Sequence, residues 1–146
     1  MPPSPPVPDV ARVIQLAVAP VFLLSGVGVT LTVLTNRLSR IVDRARSLEG
    51  RFPAAPPDEQ ADLHRELATL SRRAQLINRA LTLSTTCALL VCVVIAALFL
   101  GAFLELDLSA IIALLFVVAM LAFIGALVSF LREIFLATAN LRIGPR

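Results

Sequence analysis

Three apolar runs without a charged residue divide the chain: 13–36, 80–104 and 108–131. Arg12 and Arg37 bound the first, Arg79 and Glu105 the second, Asp107 and Arg132 the third. The runs are 24, 25 and 24 residues long. At the α-helical rise each covers roughly 36 Å, enough to cross a hydrocarbon core of about 30 Å with some tilt. No strand-like alternation is present, and a lone strand could not satisfy its backbone in lipid. The pattern predicts three transmembrane helices.

The segment 37–79 between the first two runs has a different pattern. Leu34, Leu38, Ile41, Ala45 and Leu48 recur at steps of 4, 3, 4 and 3. This heptad seam continues straight out of the first span. Gly50, Pro53, Pro56 and Pro57 break it. Asp58, Glu59 and Asp62 then bring negative charge to a helix start, where the helix dipole favours it. Leu63, Leu67, Leu70, Ala74, Ile77 and Leu81 form a second seam that runs into span two. The expected fold is therefore an all-α membrane protein whose first two helices extend into a cytoplasmic antiparallel hairpin. Helix one would run over about 13–49 and helix two over about 58–104. Two short seams on an exposed stalk are marginal alone, so a homo-oligomer is expected. The domain reading is a Pro-rich outer tail, 1–12, and one three-helix membrane domain, 13–146, ending in a cytoplasmic tail, 132–146.

Composition supports this reading. Hydrophobic residues make up 58% of the chain, too high for an ordinary soluble domain. All 13 basic residues are Arg, and 12 of them lie in the long loop or after span three. The remaining one, Arg12, shares its side with Asp9, Glu105 and Asp107. The positive-inside rule places the N-terminus outside and the C-terminus in the cytoplasm. The Pro-rich, acidic start, with no basic n-region, argues against a cleaved signal peptide. Cys87 and Cys92 sit within an apolar run and are expected to act as small buried hydrophobes.

The candidate working surfaces are polar positions on these helices. Ser25, Thr32, Asn36, Ser39 and Asp43 fall in one stripe, with Gly28 at its edge, opposite the Leu34/Leu38/Ile41 side. Such a stripe either packs helices through small residues or faces a water-filled axis. Arg37, Arg40, Arg44, Asn78 and Arg79 lie where helices one and two leave the membrane. They suit anionic lipid headgroups, or a ring at an inner pore mouth. Asn140 and Arg142 lie a few turns below span three. Glu105 and Asp107 mark the outer turn, where Asp107 or Ser109 is expected to cap span three. No ionisable residue is expected inside a span. His64 has no neighbouring ligand set, and no nucleotide loop, nucleophile–base pair or zinc-protease motif is present. No catalytic, cofactor or metal residue is predicted, and enzyme activity and nucleic-acid binding are not expected.

The segment from Ala19-Pro20 through Ser25-Gly26-Val27-Gly28 to Thr35-Asn36-Arg37-Leu38-Ser39-Arg40-Ile41-Val42-Asp43-Arg44 carries a recognisable pattern. So does Ser71-Arg72-Arg73 through Ile77-Asn78-Arg79-Ala80. Together they resemble a family of small bacterial membrane proteins known only as domain of unknown function twenty-seven twenty-one. The resemblance covers roughly 10–140. It implies a three-pass protein of the bacterial inner membrane and supplies no activity.

Two functions are compatible with these features. One is an oligomeric ion channel or pore lined by the first helix. The other is a membrane-anchored scaffold that meets a cytoplasmic protein partner through its Arg-rich hairpin. In either case the bilayer and its anionic headgroups are direct partners.

Overall fold

A computed structural model of the chain describes the backbone of residues 7–143 and the side chains of residues 10–139. It is helical throughout, in the order α1 (Val7–Arg51), a short 3-10 turn (Phe52–Ala54), α2 (Pro57–Leu104) and α3 (Ser109–Ile143). All three helices are long and apolar enough to cross a membrane. In their most apolar windows only 17%, 22% and 11% of residues are buried by the chain itself. Phe22, Leu89, Phe103, Leu114 and Phe135 are among the large apolar side chains left exposed. A water-soluble protein does not tolerate so large an uncovered apolar surface.

The helices outrun the apolar spans. α1 reaches back to Val7, because Pro8 falls in its first turn, where a missing N–H costs no helical bond. Pro20 lies inside α1 and leaves the carbonyl four residues earlier without its helical donor. α2 starts at Pro57 with Asp58 and Glu59 in its first turn. α3 continues 12 residues past Leu131. The expected Asn140 and Arg142 side chains lie outside the described residues.

The chain packs as two units, divided within each helix. The first joins the N-terminal part of α1, through Thr30, to 83–124. Its buried residues include Ala17, Val27, Cys87, Val91, Val94 and Ala119. Cys92 is exposed, so only one of the two cysteines behaves as a core residue. The α2–α3 turn belongs to this unit. Glu105 there has φ 57°, and the Leu106 N–H donates to the Gly101 carbonyl at 3.0 Å. This is the Schellman closure of a helix end, with Glu105 at the left-handed position that glycine usually fills. Gly101 packs closely beneath it, and an added Cβ would lie 3.3 Å from the Leu106 carbonyl oxygen.

The second unit comprises 31–82 and 125 onward. Its core includes Leu34, Ile41 and Leu48 on α1, Leu63, Leu70 and Ile77 on α2, and Ala126 on α3. These leucines and isoleucines are every second residue of the two predicted seams. The intervening Leu38, Ala45, Leu67 and Ala74 are half-buried. A strict seven-residue spacing holds on each helix, so every second turn returns the same face to the core. At the tip of this unit the Gln60 side chain donates to the Phe52 carbonyl at 3.2 Å and ties the turn to α2.

Candidate functional site

Among the described residues Glu133 is the one charged residue in the core of the second unit, with 0% of its surface exposed. It follows Ala119 and Ala126 at intervals of seven, on the buried line of α3. The small alanines let neighbouring backbones approach, and the next position on the line presents a carboxylate. Both of its oxygens are occupied. Arg37 Nε and Nη2 donate to Oε2 at 2.9 and 2.6 Å, and Arg73 Nε donates to Oε1 at 3.0 Å. Arg37 also lies over the Phe130 ring, 5.4 Å from its centroid. Phe130 is three residues before Glu133, so both project from one face of α3. The result is a carboxylate from α3 clamped by one arginine from α1 and one from α2.

The register of charges explains why the clamp is there. On α1, Arg37, Arg44 and Arg51 recur every seven residues; on α2, so do Glu59, Glu66 and Arg73. Arg51 pairs with Glu59 at 3.4 Å and Arg44 with Glu66 at 3.0 Å. Each step of seven down α1 is matched by a step of seven up α2. The third rung would set Arg37 against Arg73, like against like. Glu133 supplies the missing negative charge. The two outer pairs have side chains about half exposed and stabilise by under about 1 kcal/mol each. The Glu133 cluster differs, because its carboxylate is wholly desolvated and both its partners are needed.

The candidate positions are distributed as follows. Ser25, Gly28, Thr32, Asn36, Ser39 and Asp43 are all exposed on α1, away from buried Val27, Leu34 and Ile41. Ser25 Oγ donates to the Val21 carbonyl at 3.3 Å, within its own helix. Thr30 and Thr35 do the same to Gly26 and Leu31. Phe22 and Val29 share the same exposed face nearer the N-terminus. Gly26 and Gly28 have nothing within 4 Å of an added Cβ.

Of the inner-mouth candidates, Arg37 is held in the carboxylate clamp and Arg44 in its pair with Glu66. Arg40 and Asn78 are exposed. Arg79 instead lines a groove with Arg72 and Arg132. Arg37 and Arg79, expected at matching depths, thus have different surroundings in this unit, one a carboxylate clamp and the other a groove.

At the α2–α3 turn, Asp107 caps α3. Its carboxylate accepts the Ser109 N–H at 3.2 Å and the Ser109 hydroxyl. The hydroxyl first, and then the backbone donor, hold the Asp107 carboxyl below its ordinary range. His64 lines a shallow hollow with Glu49, Phe52, Pro53 and Leu67. Among the described residues no group of three His, Cys, Asp or Glu side chains could hold a metal.

A family model described as "Protein of unknown function (DUF2721)" matches residues 17–143. The chain belongs to this family. The match runs through all three helices and includes Arg37, Arg73 and Glu133, so the clamp lies wholly within the family region. No curated protein and no solved structure matches the chain.

Proposed function

We propose that this DUF2721 protein is an oligomeric channel or pore of the bacterial inner membrane, with α1 of each copy facing a shared axis. The N-terminus lies outside, and the charged ends of α1 and α2 form an antiparallel hairpin in the cytoplasm. The observation that carries the reading is the exposed polar stripe of α1. Ser25, Thr32 and Ser39 stand about 160° from the buried line on one side, and Asn36 and Asp43 about 160° on the other. Back-bonding to the helix, as at Ser25, spares a hydroxyl from needing another partner. The Asn36 carboxamide lies at the inner end of the span and favours water or another copy over lipid; Asp43 lies beyond it, in the hairpin.

The same face turns apolar outward, through Val29 to Phe22, which is 73% exposed. A ring of Phe22 side chains would form an apolar constriction, which gates by dewetting. At the inner end, Glu133 offsets one of the two charges of Arg37 and Arg73, and exposed Arg40 sits three residues before exposed Asp43. Such a mouth would select weakly by charge.

Planar-bilayer recording from the purified protein tests the proposal. Currents should appear, Thr32→Leu and Asn36→Ala should alter them, and Phe22→Ser should raise the open fraction. Silence across salts, voltages, pH and membrane tension would refute it. The scaffold reading is less favoured, because Arg37, Arg44, Arg51 and Arg73 all direct their charge to the chain's own carboxylates.

A further inference from the structure

The second unit contains a groove of about 450 Å³ that the clamp and the polar stripe do not use. Arg72, Gln75 and Arg79 of α2 and Arg132 of α3 line it, with Leu76 and Phe135. Arg72 and Arg79 are seven residues apart and share a helix face; Gln75 and Leu76 fall between them on that face. None of the lining residues is acidic. Among the described residues none of the three arginines pairs with a carboxylate, whereas Arg37, Arg44, Arg51 and Arg73 all do. Three uncompensated guanidiniums in one groove repel one another, and a bound anion relieves that repulsion.

The position of the groove indicates which anion. Arg79 and Arg132 are the residues at which the apolar runs of α2 and α3 end on this side. They therefore sit at the level of the headgroups of the adjacent leaflet. On the membrane side of Arg79 and Arg132 the apolar runs begin at once, and Val128, one turn from Arg132 on the same face, is 46% exposed. A site with guanidiniums at one part and bare hydrocarbon at another matches an amphiphile better than a free ion. Guanidinium binds phosphate oxygens in a two-pronged arrangement that ammonium cannot reproduce.

We infer that the groove lined by Arg72, Arg79 and Arg132 is a binding site for the phosphate headgroup of an anionic phospholipid, whose acyl chains run into the bilayer along the apolar part of α3 past Val128. The site depends only on the three-span architecture and not on the channel proposal. A protein that conducts nothing would still bind the lipid, and a conducting protein without the site would still conduct.

The test uses the full-length protein in neutral detergent, with bound lipid counted by native mass spectrometry during titration with phosphatidylglycerol or phosphatidylcholine. Phosphatidylglycerol should bind at least about ten-fold more tightly. Each arginine near a charged headgroup contributes a factor of about five, so Arg79→Gln with Arg132→Gln should weaken binding about 25-fold. Arg46→Gln with Arg65→Gln, at exposed positions away from the groove, should leave it unchanged. Glycerol phosphate, which carries the headgroup anion without acyl chains, should not displace the lipid at equal concentration. If the groove variant does not fold, Arg72→Gln alone should still cost about five-fold. Equal loss in the Arg46/Arg65 variant would reduce the effect to diffuse attraction and overturn the site. Equal competition by glycerol phosphate, or equal binding of phosphatidylcholine, would overturn the lipid as its ligand.

Discussion

Replacing Glu133 by Gln tests the clamp with the least change in shape. The carboxylate accepts three hydrogen bonds from two guanidiniums and is fully buried. Removing one member of a buried ion pair costs about 3–5 kcal/mol, chiefly because its partner is left charged and unpaired. Two features reduce that figure here. Arg37 and Arg73 keep 32% and 20% of their side-chain surface exposed, so water can reach them once released. The Gln carbonyl can still accept from one arginine. The expected loss is therefore about 2–3 kcal/mol. Reversible unfolding in mixed micelles, followed by helical circular dichroism, measures it. The mechanism also predicts coupling. In an Arg73→Gln background the like-charge rung is gone, so Glu133→Gln should cost about 1–2 kcal/mol less than in the wild type. Replacing Arg37, Arg73 and Glu133 together by Met, Met and Leu should recover most of the stability, because no orphan charge remains. A Glu133→Gln loss below about 0.5 kcal/mol, or strict additivity with Arg73→Gln, would refute the clamp as a three-helix fastener.

Four further outcomes follow from the same structure. Glu105→Gly should raise stability by about 0.5–1 kcal/mol, since a left-handed conformation at φ 57° strains any residue with a Cβ; a loss in the same micelle titration would contradict that reading. Ser84 is fully buried and its hydroxyl has no hydrogen-bond partner among the described residues, so Ser84→Ala should stabilise by about 1 kcal/mol. Leu48→Ala, in the core beyond the apolar span of α1, should cost about 3 kcal/mol, and amide exchange in 41–70 should rise with it. Asp107 has a folded-state carboxyl held below its unfolded value, so its contribution is complete above about pH 4 and is lost as pH falls through the folded value. Asp107→Asn keeps a capping oxygen that does not titrate, and melting curves between pH 2.5 and 5 should then depend less on pH than those of the wild type.

The parts of this fold that could be read from the sequence are those that repeat or run. Three uninterrupted apolar segments fix the spans, because lipid admits only helices of sufficient length there. The leucine seams were legible because a seven-residue period returns one face to the core, and Leu34, Ile41, Leu48, Leu63, Leu70 and Ile77 are buried as that period requires. The Asp107 cap was legible because a short polar side chain just before a helix has few other uses.

Glu133 was not legible in the same way. It lies two residues beyond the third apolar run, next to Arg132, where a charged residue looks solvated. Its partners are 96 and 60 residues away in the chain. A signal did exist in the spacing. Ala119, Ala126 and Glu133 keep one heptad position on α3, and the Arg37/Arg44/Arg51 ladder meets Glu59, Glu66 and then a mismatched Arg73. The division of the inner arginines has the same origin, since Arg37 is committed to Glu133 and Arg79 to another groove.

The central claim is that the exposed polar face of α1 meets water inside an assembly of copies. Substituted-cysteine labelling tests it most directly, in vesicles, on a background with Cys87 and Cys92 replaced by Ala. The probe is a charged, membrane-impermeant thiol reagent. The account predicts that Ser25→Cys and Thr32→Cys variants label readily, whereas Leu89→Cys, at an apolar α2 position 65% exposed by the chain and off the α1 face, does not. Labelling of Thr32→Cys no faster than Leu89→Cys would contradict a water-filled axis along α1.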